Sequence, residues 1–479
     1  MCTLDDKKSQ KLKFLKQSYQ NILSVAIPIL IISLIGLLSL SWSNYNVNAQ
    51  NQTIPSQNQN QTIPSQNQTR AGPSLTDPNL KVELVVGELD FPTSMDFLGK
   101  DDILVLEKNT GKVYRIVNGN VTGPLVTIDV GYKDERGLLG IAVSGNKNSD
   151  KNNTSVYLYY TECLKKPSGK HTKNCGNYIY RYKFDAQNNK LVDPKLILTL
   201  PALPGPSHNG GSMELDKEKN LYLTTGDLLT TEFNQTGSFD TKAQNFINGS
   251  PPDGRAGILR LTQDGKPVGK GILGDEYPLD LYYAYGIKNS FGIGFDPVTN
   301  NLWDTENGPQ FGDEINLVKP GFNSGWEKVQ GIWKLNQTRE KESVFKESNK
   351  DVAFVDFDGK GKYSDPEFVW DKPVAPTALI FLDSDKLGQQ YQNDIFVGSA
   401  KRGLIYHFDL SKNREALDLS NDLADLVFDK NDESSKMIFG ENFGVITDLE
   451  VGPDGYLYIL SGFRGTDEGS IYRVIPNSK

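Results

Sequence analysis

Histidine side chains change charge near neutral pH, so the three histidines of this 479-residue chain are the first candidates for acid–base chemistry. His208 lies in the segment PGPSHNGG, whose proline and glycine residues predict a loop that leads into a strand. A side chain there can project into a cavity, so we interpret His208 as a candidate catalytic residue, with an ordinary exposed histidine as the alternative. His171 lies between two cysteines, and alternation in the strand-like segment LIYHFDL explains His407 by packing. We interpret both as structural or surface groups.

A second segment, ENGPQFGDEINLVKPGFNSGWEKV, combines a turn with carboxylates. Gly308 and Pro309 turn the chain and expose backbone carbonyl groups, and Asp313 and Glu314 supply further oxygen ligands. Hard oxygen ligands suit Ca²⁺, although the spacing is not that of a helix-loop-helix calcium loop. The alternative is an acidic loop that ends at a buried Trp326.

The elements that position these residues are predicted to be strands. From about Lys81 onward one pattern recurs, in which an apolar strand, a turn, a tyrosine-rich strand and a basic-aromatic strand follow one another. One such sheet cannot bury both faces, whereas several sheets around an axis can. The sequence therefore predicts an all-β six-bladed β-propeller, with two β-sandwich domains as the alternative. The six copies begin at Pro92, Gly137, Gly210, Phe291, Thr377 and Ile446.

The N-terminal part has a different composition. An uncharged apolar run from Ile22 to Trp42 is long enough, at about 1.5 Å per residue, to cross a hydrocarbon layer of about 30 Å. Lysines precede it, which predicts a cytoplasmic N-terminus and an exported remainder. Because Val47-Asn48-Ala49 resembles a cleavage signal, the run is either a retained membrane anchor or a signal sequence. The predicted organisation is a basic cytoplasmic segment (1–20), this hydrophobic helix (21–43), a disordered Asn/Gln-rich linker (44–80) and the propeller (81–479).

Charge and cysteine content narrow the class of protein further. The net charge of −9 becomes more negative without the lysine-rich segment up to Ala49, so the predicted exported part is acidic. Nucleic-acid binding needs clustered lysine and arginine, and this balance argues against it. Cys163 and Cys175 flank a lysine-rich stretch between two strand-like runs. In an oxidising exterior we expect them to form a disulfide, with two unpaired surface thiols as the alternative.

Five segments occur along the chain in the order ERGLLG, PGPSHNGG, YGIKNSFGIGF, GPQFGDEIN and AKRGLIY. Each segment alone is a weak signal, but their order over successive repeats is specific. With these segments the sequence resembles the quinoprotein glucose/sorbosone dehydrogenases, and among these the soluble aldose sugar dehydrogenases, over nearly all of 81–476.

The resemblance implies an enzyme that depends on pyrroloquinoline quinone (PQQ). His208 would take the proton from the anomeric hydroxyl of a sugar while hydride passes to the quinone. A calcium ion held by the Gly308 and Pro309 carbonyls would polarise the quinone, and Glu314 with the Ser324 carbonyl match a second, structural calcium site. The positions that match contacts to the cofactor are Glu135, Lys288, Asn289, Lys401 and Thr447.

The chain departs from the family pattern at several of these positions. Val445 and Thr447 stand where two arginines usually hold the quinone carboxylates, and Lys288 stands where arginine gives a bidentate grip. Asp371 replaces a frequent aromatic stacking residue, with Trp370 one position away. Each lost charge-assisted hydrogen bond is worth about 1.5–3 kcal/mol, so the sequence predicts a weakened or lost cofactor site.

The leading hypothesis is an extracytoplasmic enzyme, membrane-anchored or secreted, that oxidises an aldose to its lactone and passes electrons to an external acceptor. The alternative is a non-catalytic cell-surface propeller that binds a protein or glycan partner, which Val445 and Thr447 favour. A third interpretation is a calcium-dependent lactonase propeller, but no segment resembles the carboxylate pattern of that family.

Overall fold

The computed structural model describes residues 72–145, 154–165, 168, 171–228, 240–335, 351–419, 421–430, 433, 437–462 and 468–477. The chain divides into two units, Met1–Thr69 and Arg70–Lys479, and every described residue belongs to the second. The predicted hydrophobic helix at 21–43 lies outside the described residues. Within them, no helix is long and apolar enough to span a membrane.

Strands are the main regular secondary structure of the described residues, and the helices among them are single 3₁₀ turns. Numbered in chain order, the first two sheets are four-stranded antiparallel meanders. The first contains β3 (Pro92–Gly99), β4 (Asp102–Glu107), β5 (Lys112–Val117) and β6 (Asn120–Thr127). The second contains β7 (Leu138–Ser144), β8 (Ser155–Lys165), β9 (His171–Asp185) and β10 (Lys190–Pro201). The 3₁₀ turns are Lys242–Gln244, Leu279–Leu281, Gln389–Tyr391 and Asn421–Leu423.

The third and fourth sheets carry extra short strands and position most of the candidate site. The third contains β11 (Met213–Leu215), β12 (Leu221–Thr225), β13 (Gly257–Leu261), β14 (Tyr282–Tyr285), β18 (Phe322–Asn323) and β21 (Lys362–Tyr363). The fourth contains β15 (Ser290–Phe295), β16 (Leu302–Glu306), β17 (Asp313–Val318), β22 (Phe368–Trp370) and β26 (Val427–Phe428). A separate hairpin pairs β19 (Val329–Gln330) with β20 (Trp333–Lys334).

The last two sheets combine strands from both ends of the second unit. One contains β23 (Pro376–Phe381), β24 (Ile395–Ser399), β25 (Ile405–Phe408), β27 (Ile438–Glu441) and β1 (Ser74–Leu75). The other contains β28 (Val445–Val451), β29 (Leu457–Gly462), β30 (Glu468–Pro476) and β2 (Leu80–Asp90). Because β1 already pairs with β27, the folded part begins before the predicted boundary at Lys81.

The first strand of each sheet contacts the first strand of the next. These contacts run from β3 to β7, β11, β15, β23 and β28, and β28 contacts β3. Strands such as β4 are buried on both faces, because a neighbouring sheet covers each side. The predicted repeats begin at or beside these first strands, and the predicted all-β propeller is confirmed. The predicted disulfide is also present, between Cys163 and Cys175 on neighbouring strands β8 and β9.

Candidate active site

His208 is held in an unusual backbone conformation in the loop between β10 and β11. Its φ of 58° lies in the left-handed region, which is costly for a residue other than glycine. The Glu135 carboxylate accepts a hydrogen bond from the His208 backbone N–H at 2.7 Å and another from the Asn289 side chain at 3.3 Å. At Gly210, also left-handed, a Cβ atom would lie 2.4 Å from the Thr224 carbonyl oxygen. The hydrogen bond to Glu135 and the close approach at Gly210 therefore hold the loop, and His208 with it, in one backbone conformation.

The His208 ring lies between an acidic residue, Asp227, and a basic residue, Lys288. Asp227, two residues after β12, contacts Nδ1 at 2.6 Å, and Lys288, two residues before β15, contacts Nε2 at 3.3 Å. A lysine ammonium can only donate, so Nε2 of His208 is the acceptor and Nδ1 carries the proton that is donated to Asp227. This tautomer presents the lone pair of Nε2, as a general base requires.

Trp326 completes the hydrogen-bond network around His208. Its indole Nε1–H donates to the second oxygen of Asp227 at 2.7 Å, and Lys288 lies over its ring, 5.7 Å from the centroid. The Asp227 backbone N–H also donates to the Lys288 carbonyl oxygen at 2.9 Å. Asp227 is fully buried, and both of its carboxylate oxygens have donors. The network of His208, Asp227, Lys288 and Trp326, hereafter the His208 network, is therefore held by hydrogen bonds between protein groups.

Asp313 connects the predicted calcium loop at Gly308 to the segment at Val374. That segment contacts the loop between β24 and β25 that contains Lys401, hereafter the Lys401 loop. One of its oxygens accepts from the Gly308 backbone N–H at 2.8 Å, and the other accepts from the backbone N–H groups of Val374 and Ala375 at 2.7 Å each. The Lys401 backbone N–H donates in turn to the Val374 carbonyl oxygen. Asp313, named in the sequence analysis among the oxygen ligands near the calcium loop, accepts hydrogen bonds from three backbone N–H groups in two segments. Burial raises its pKa, and the three N–H donors oppose that shift.

A group of buried carboxylates lies beside the His208 network. Strand β16 contributes Asp304 and Glu306, and β17 contributes Glu314 and Asn316; Asp304 pairs across with Asn316, and Glu306 with Glu314. Alternation of side chains along a strand places all four on one face. Ser324, after β18, donates its hydroxyl to Glu314 at 2.9 Å. These five residues, hereafter the carboxylate cluster, are almost completely buried.

The three carboxylates of the carboxylate cluster are hydrogen-bonded by neutral donors, so no protein cation compensates their negative charge among these contacts. The Asn316 amide donates to Asp304, Glu306 and Glu314, and the remaining donors are a hydroxyl group and backbone N–H groups, including that of Lys288 to Glu306 at 3.0 Å. Among the described residues, Oδ2 of Asp304 and Oδ1 of Asn316 have no hydrogen-bond partner. Two oxygen atoms are therefore left over in a buried anionic site, which is costly without a cation or protons.

The pKa values of the three acids express this imbalance. Burial raises the pKa of Asp304 to about 7 and that of Glu314 to about 8. For Glu306, burial and then the charge of Glu314 raise the pKa well above its usual range. Hard oxygen ligands around an unbalanced charge fit Ca²⁺.

The structure brings most of the predicted site residues together. His208, Glu135, Lys288 and Asn289 are in contact, as described above. Asn289 accepts from the Asn307 backbone N–H, beside the predicted ligands Gly308 and Pro309, and Glu314 contacts Ser324. Thr447 donates to the Leu460 carbonyl oxygen of its own sheet at 3.4 Å, and no hydrogen bond among the described residues links it to His208.

Sequence reasoning missed the hydrogen-bond partners of the His208 side chain. Asp227 lies in the segment TTGD, and Trp326 was considered only as the end of an acidic loop. It also missed Asp304 and Glu306, although the alternating WDTE of β16, opposite DEIN of β17, was a readable signal. His171 and His407 belong to β9 and β25.

A family model described as Glucose / Sorbosone dehydrogenase matches residues 89–473. The chain belongs to this family, as the sequence motifs predicted. Its class, a PQQ-dependent sugar dehydrogenase, is confirmed at the level of the family.

Individual relatives are distant but extend over most of both chains. The chain is 26% identical over 407 residues to the aldose sugar dehydrogenase YliI of Escherichia coli, covering 83% of this chain and 94% of the relative. It is 24% identical to the quinoprotein glucose dehydrogenase B of Acinetobacter calcoaceticus, covering 83% and 89%. Among solved structures, the soluble aldose sugar dehydrogenase of E. coli matches with a TM-score of 0.60 at 22% identity, over 83% of this chain and all of the other, which supports the fold.

Proposed function

We propose that this protein oxidises an aldose to its lactone with PQQ, and that His208 is the general base. The observation that carries the proposal is the state of the His208 ring, whose Nε2 accepts from Lys288 while Nδ1–H donates to buried Asp227. A sugar hydroxyl that donates to Nε2 would take the place of Lys288 as its partner. Asp227, held by Trp326, would then stabilise the imidazolium that forms when His208 takes the proton.

The residues predicted to contact the cofactor fit an anionic cofactor only in part. Lys288 is a buried cation beside His208, and Lys401 lies on an exposed loop connected to the same segments through Asp313. PQQ carries three carboxylates, and these two lysines are the groups that would hold them. When bound, it would accept the hydride that leaves the sugar as His208 takes the proton. Val445 and Thr447 add no positive charge, so we expect weaker binding than arginines would give.

The carboxylate cluster fits a hard cation, and we propose that Ca²⁺ is bound there. Glu314 and Ser324, predicted as ligands, are joined by Asp304 with its free oxygen and by Glu306. The backbone carbonyls of Gly308 and Pro309 are the groups that would hold a calcium ion close to the quinone, where it would supply Lewis acidity.

The remaining parts of the proposal concern architecture and location. We infer six blades, supported by the six sheets of four or more strands whose first strands contact one another in a closed ring. The basic segment and the apolar run from Ile22 to Trp42 support an exported domain that is anchored or secreted. For such a domain we propose an external electron acceptor.

The test is calorimetric titration of PQQ into the full chain with Ca²⁺ present, followed by dye reduction with a panel of aldoses. We expect binding, and sugar-dependent reduction that falls by about 10²–10⁴-fold in His208→Ala. His171→Ala is the matched control, because it removes a histidine that this mechanism does not use. Equal activity in His208→Ala and wild type would refute the role of His208.

A second candidate function is supported by the missing arginines. A propeller without Arg at positions 445 and 447 could keep its fold and calcium while it binds a protein or glycan partner. Absence of PQQ binding at saturating cofactor and Ca²⁺ would favour this candidate over the dehydrogenase.

A further inference from the structure

Three side chains of types that can coordinate a metal ion lie together in the fifth sheet. It consists of Asp394, directly before β24, His407 in β25, and Asp409, directly after β25. Ile395 pairs with Phe408, so the two aspartates flank the last residue pair of the hairpin. Antiparallel pairing therefore brings all three residues to one end of the sheet.

That end is opposite the candidate active site. Strand β24 runs from Ile395 to Ser399, and the loop after it contains Lys401, which is connected to the predicted calcium loop through Val374. At about 3.3 Å per residue, the strand separates the two ends by roughly 17 Å. The cluster at Asp394 is therefore not part of the site around His208.

The geometry of the cluster suits one ion. Nε2 of His407 lies 3.0 Å from Oδ2 of Asp394 and 3.7 Å from Oδ1 of Asp409. The three ligand atoms all lie within 4.8 Å of one another. The His407 ring is fixed between Phe396 and Tyr391, with centroids 5.0 and 5.1 Å away. A ring held by packing keeps Nε2 directed at the two carboxylates.

The donor set selects the chemical class of the ion. One imidazole nitrogen with two carboxylates suits divalent cations of the zinc class, whereas Ca²⁺ takes six to eight oxygen ligands. Asp394 is buried, but the Asp409 side chain is 62% exposed. Water can therefore reach the ion and complete its coordination.

We propose that Asp394, His407 and Asp409 bind one divalent transition-metal cation of the zinc class. The ion connects the start of β24 to the end of β25 and stabilises this end of the sheet. It takes no part in the reaction at His208, and the site does not depend on the proposed dehydrogenase activity. Without an ion, the same residues would form only an ion pair between imidazolium and carboxylates, which is the competing explanation.

The test uses the full chain. Excess Ca²⁺ is present so that it fills any sites made of oxygen ligands before the second metal is added. Co²⁺ is titrated while its visible absorption is recorded, and Zn²⁺ binding is measured by equilibrium dialysis. We expect binding of one ion that is lost in His407→Gln and weakened at least about tenfold in Asp409→Asn. Asp409→Asn changes an exposed side chain and keeps its shape, so it remains informative if His407→Gln fails to fold.

Two matched variants separate the site from other ligands in the chain. His171→Gln removes another histidine, and Asp383→Asn removes an exposed aspartate in the turn that follows β23. Both should bind Co²⁺ and Zn²⁺ as the wild type does, and Zn²⁺ should raise the melting temperature of both. Unchanged binding in His407→Gln and Asp409→Asn would overturn the proposal. So would the absence of Co²⁺ and Zn²⁺ binding to the wild-type chain.

Discussion

The His208 network and the carboxylate cluster are neighbours that balance their charges differently. They are joined by Lys288, whose side chain contacts His208 while its backbone N–H donates to Glu306. In the His208 network, Asp227 accepts hydrogen bonds from His208 and Trp326, and Lys288 donates one to His208. In the carboxylate cluster, three acids share an amide, a hydroxyl and backbone N–H groups, and an oxygen of Asp304 has no partner among the described residues.

The difference distinguishes a site that protein groups complete from one that needs an added positive charge. Asp227, held by Trp326, favours one tautomer of His208, so this part of the site is preorganised. The acids around Glu314 must bind either protons or a cation. The two regions should therefore respond to different perturbations, the first to loss of one hydrogen-bond acceptor and the second to pH and calcium.

The largest expected effect comes from Asp227→Asn. The asparagine amide can donate to Nδ1 of His208, which would force the proton onto Nε2, where it opposes Lys288 and can no longer accept from a sugar. We expect kcat for aldose-dependent dye reduction to fall by about 10²–10⁴-fold, as for a base fixed in the wrong tautomer. PQQ affinity, measured by calorimetry, should change little.

Asp216→Asn is the matched control for Asp227→Asn. Asp216 belongs to the same sheet and accepts hydrogen bonds from Asn220 in the turn between β11 and β12. It therefore reports on the loss of a structural carboxylate. A similar fall in kcat in both variants would contradict the tautomer argument.

A smaller effect should appear in the dependence of stability on pH and calcium. The pKa of Asp304 is raised to about 7 and that of Glu314 to about 8, above their values in the unfolded chain. In the calcium-free folded protein these acids keep protons that they lose in the unfolded chain. The free energy of unfolding therefore falls as pH rises from the unfolded pKa values through the raised values of about 7 and about 8. Bound Ca²⁺ replaces the protons, and the increase in Tm that it causes should be larger at pH 8 than at pH 6. The limit is about 1.4 kcal/mol per pH unit for each proton displaced.

Glu314→Gln separates a calcium site from a group of protonated acids. If Ca²⁺ binds there, the variant should lose most of the calcium-induced increase in Tm, because a neutral amide is a poor substitute for a carboxylate ligand. Its calcium-free form should be at least as stable as wild type at pH 8, since one buried charge has gone. A calcium response equal to that of wild type would exclude Glu314 as a ligand.

The same comparison shows why the sequence predicted one region better than the other. Gly, Pro and alternating apolar residues identified the repeats, because each repeat is a local pattern that folds into one sheet. His208 was recognisable from its loop. Its partners Asp227 and Trp326 were not, because they approach from separate strand ends and only the ring of sheets brings them together.

The carboxylate cluster could have been predicted in part. Asp304 and Glu306 alternate on β16 and face Glu314 and Asn316 on the next strand, so a two-strand register was enough to place them on one face. Their burial was not readable, since it depends on the covering sheets. The function of Asp313 in fixing Val374 likewise depends on contacts between distant segments.

The smallest expected effect tests whether the cofactor site can be strengthened. Val445 lies at the start of β28, next to Gly444, which contacts the Lys401 loop at Gly403. An arginine there would add a cation and a bidentate donor near this loop. We expect Val445→Arg to tighten PQQ binding by about tenfold in calorimetry, which corresponds to about 1.4 kcal/mol.

The control for Val445→Arg is Val451→Arg, at the other end of the same strand. It adds the same charge to the same sheet, but away from the Lys401 loop. Equal gains in the two variants would mean that net charge, rather than a local contact, controls PQQ affinity. A gain confined to Val445→Arg would place a carboxylate of the cofactor near β28, and would show that the His208 network was complete while the cofactor site beside it was not.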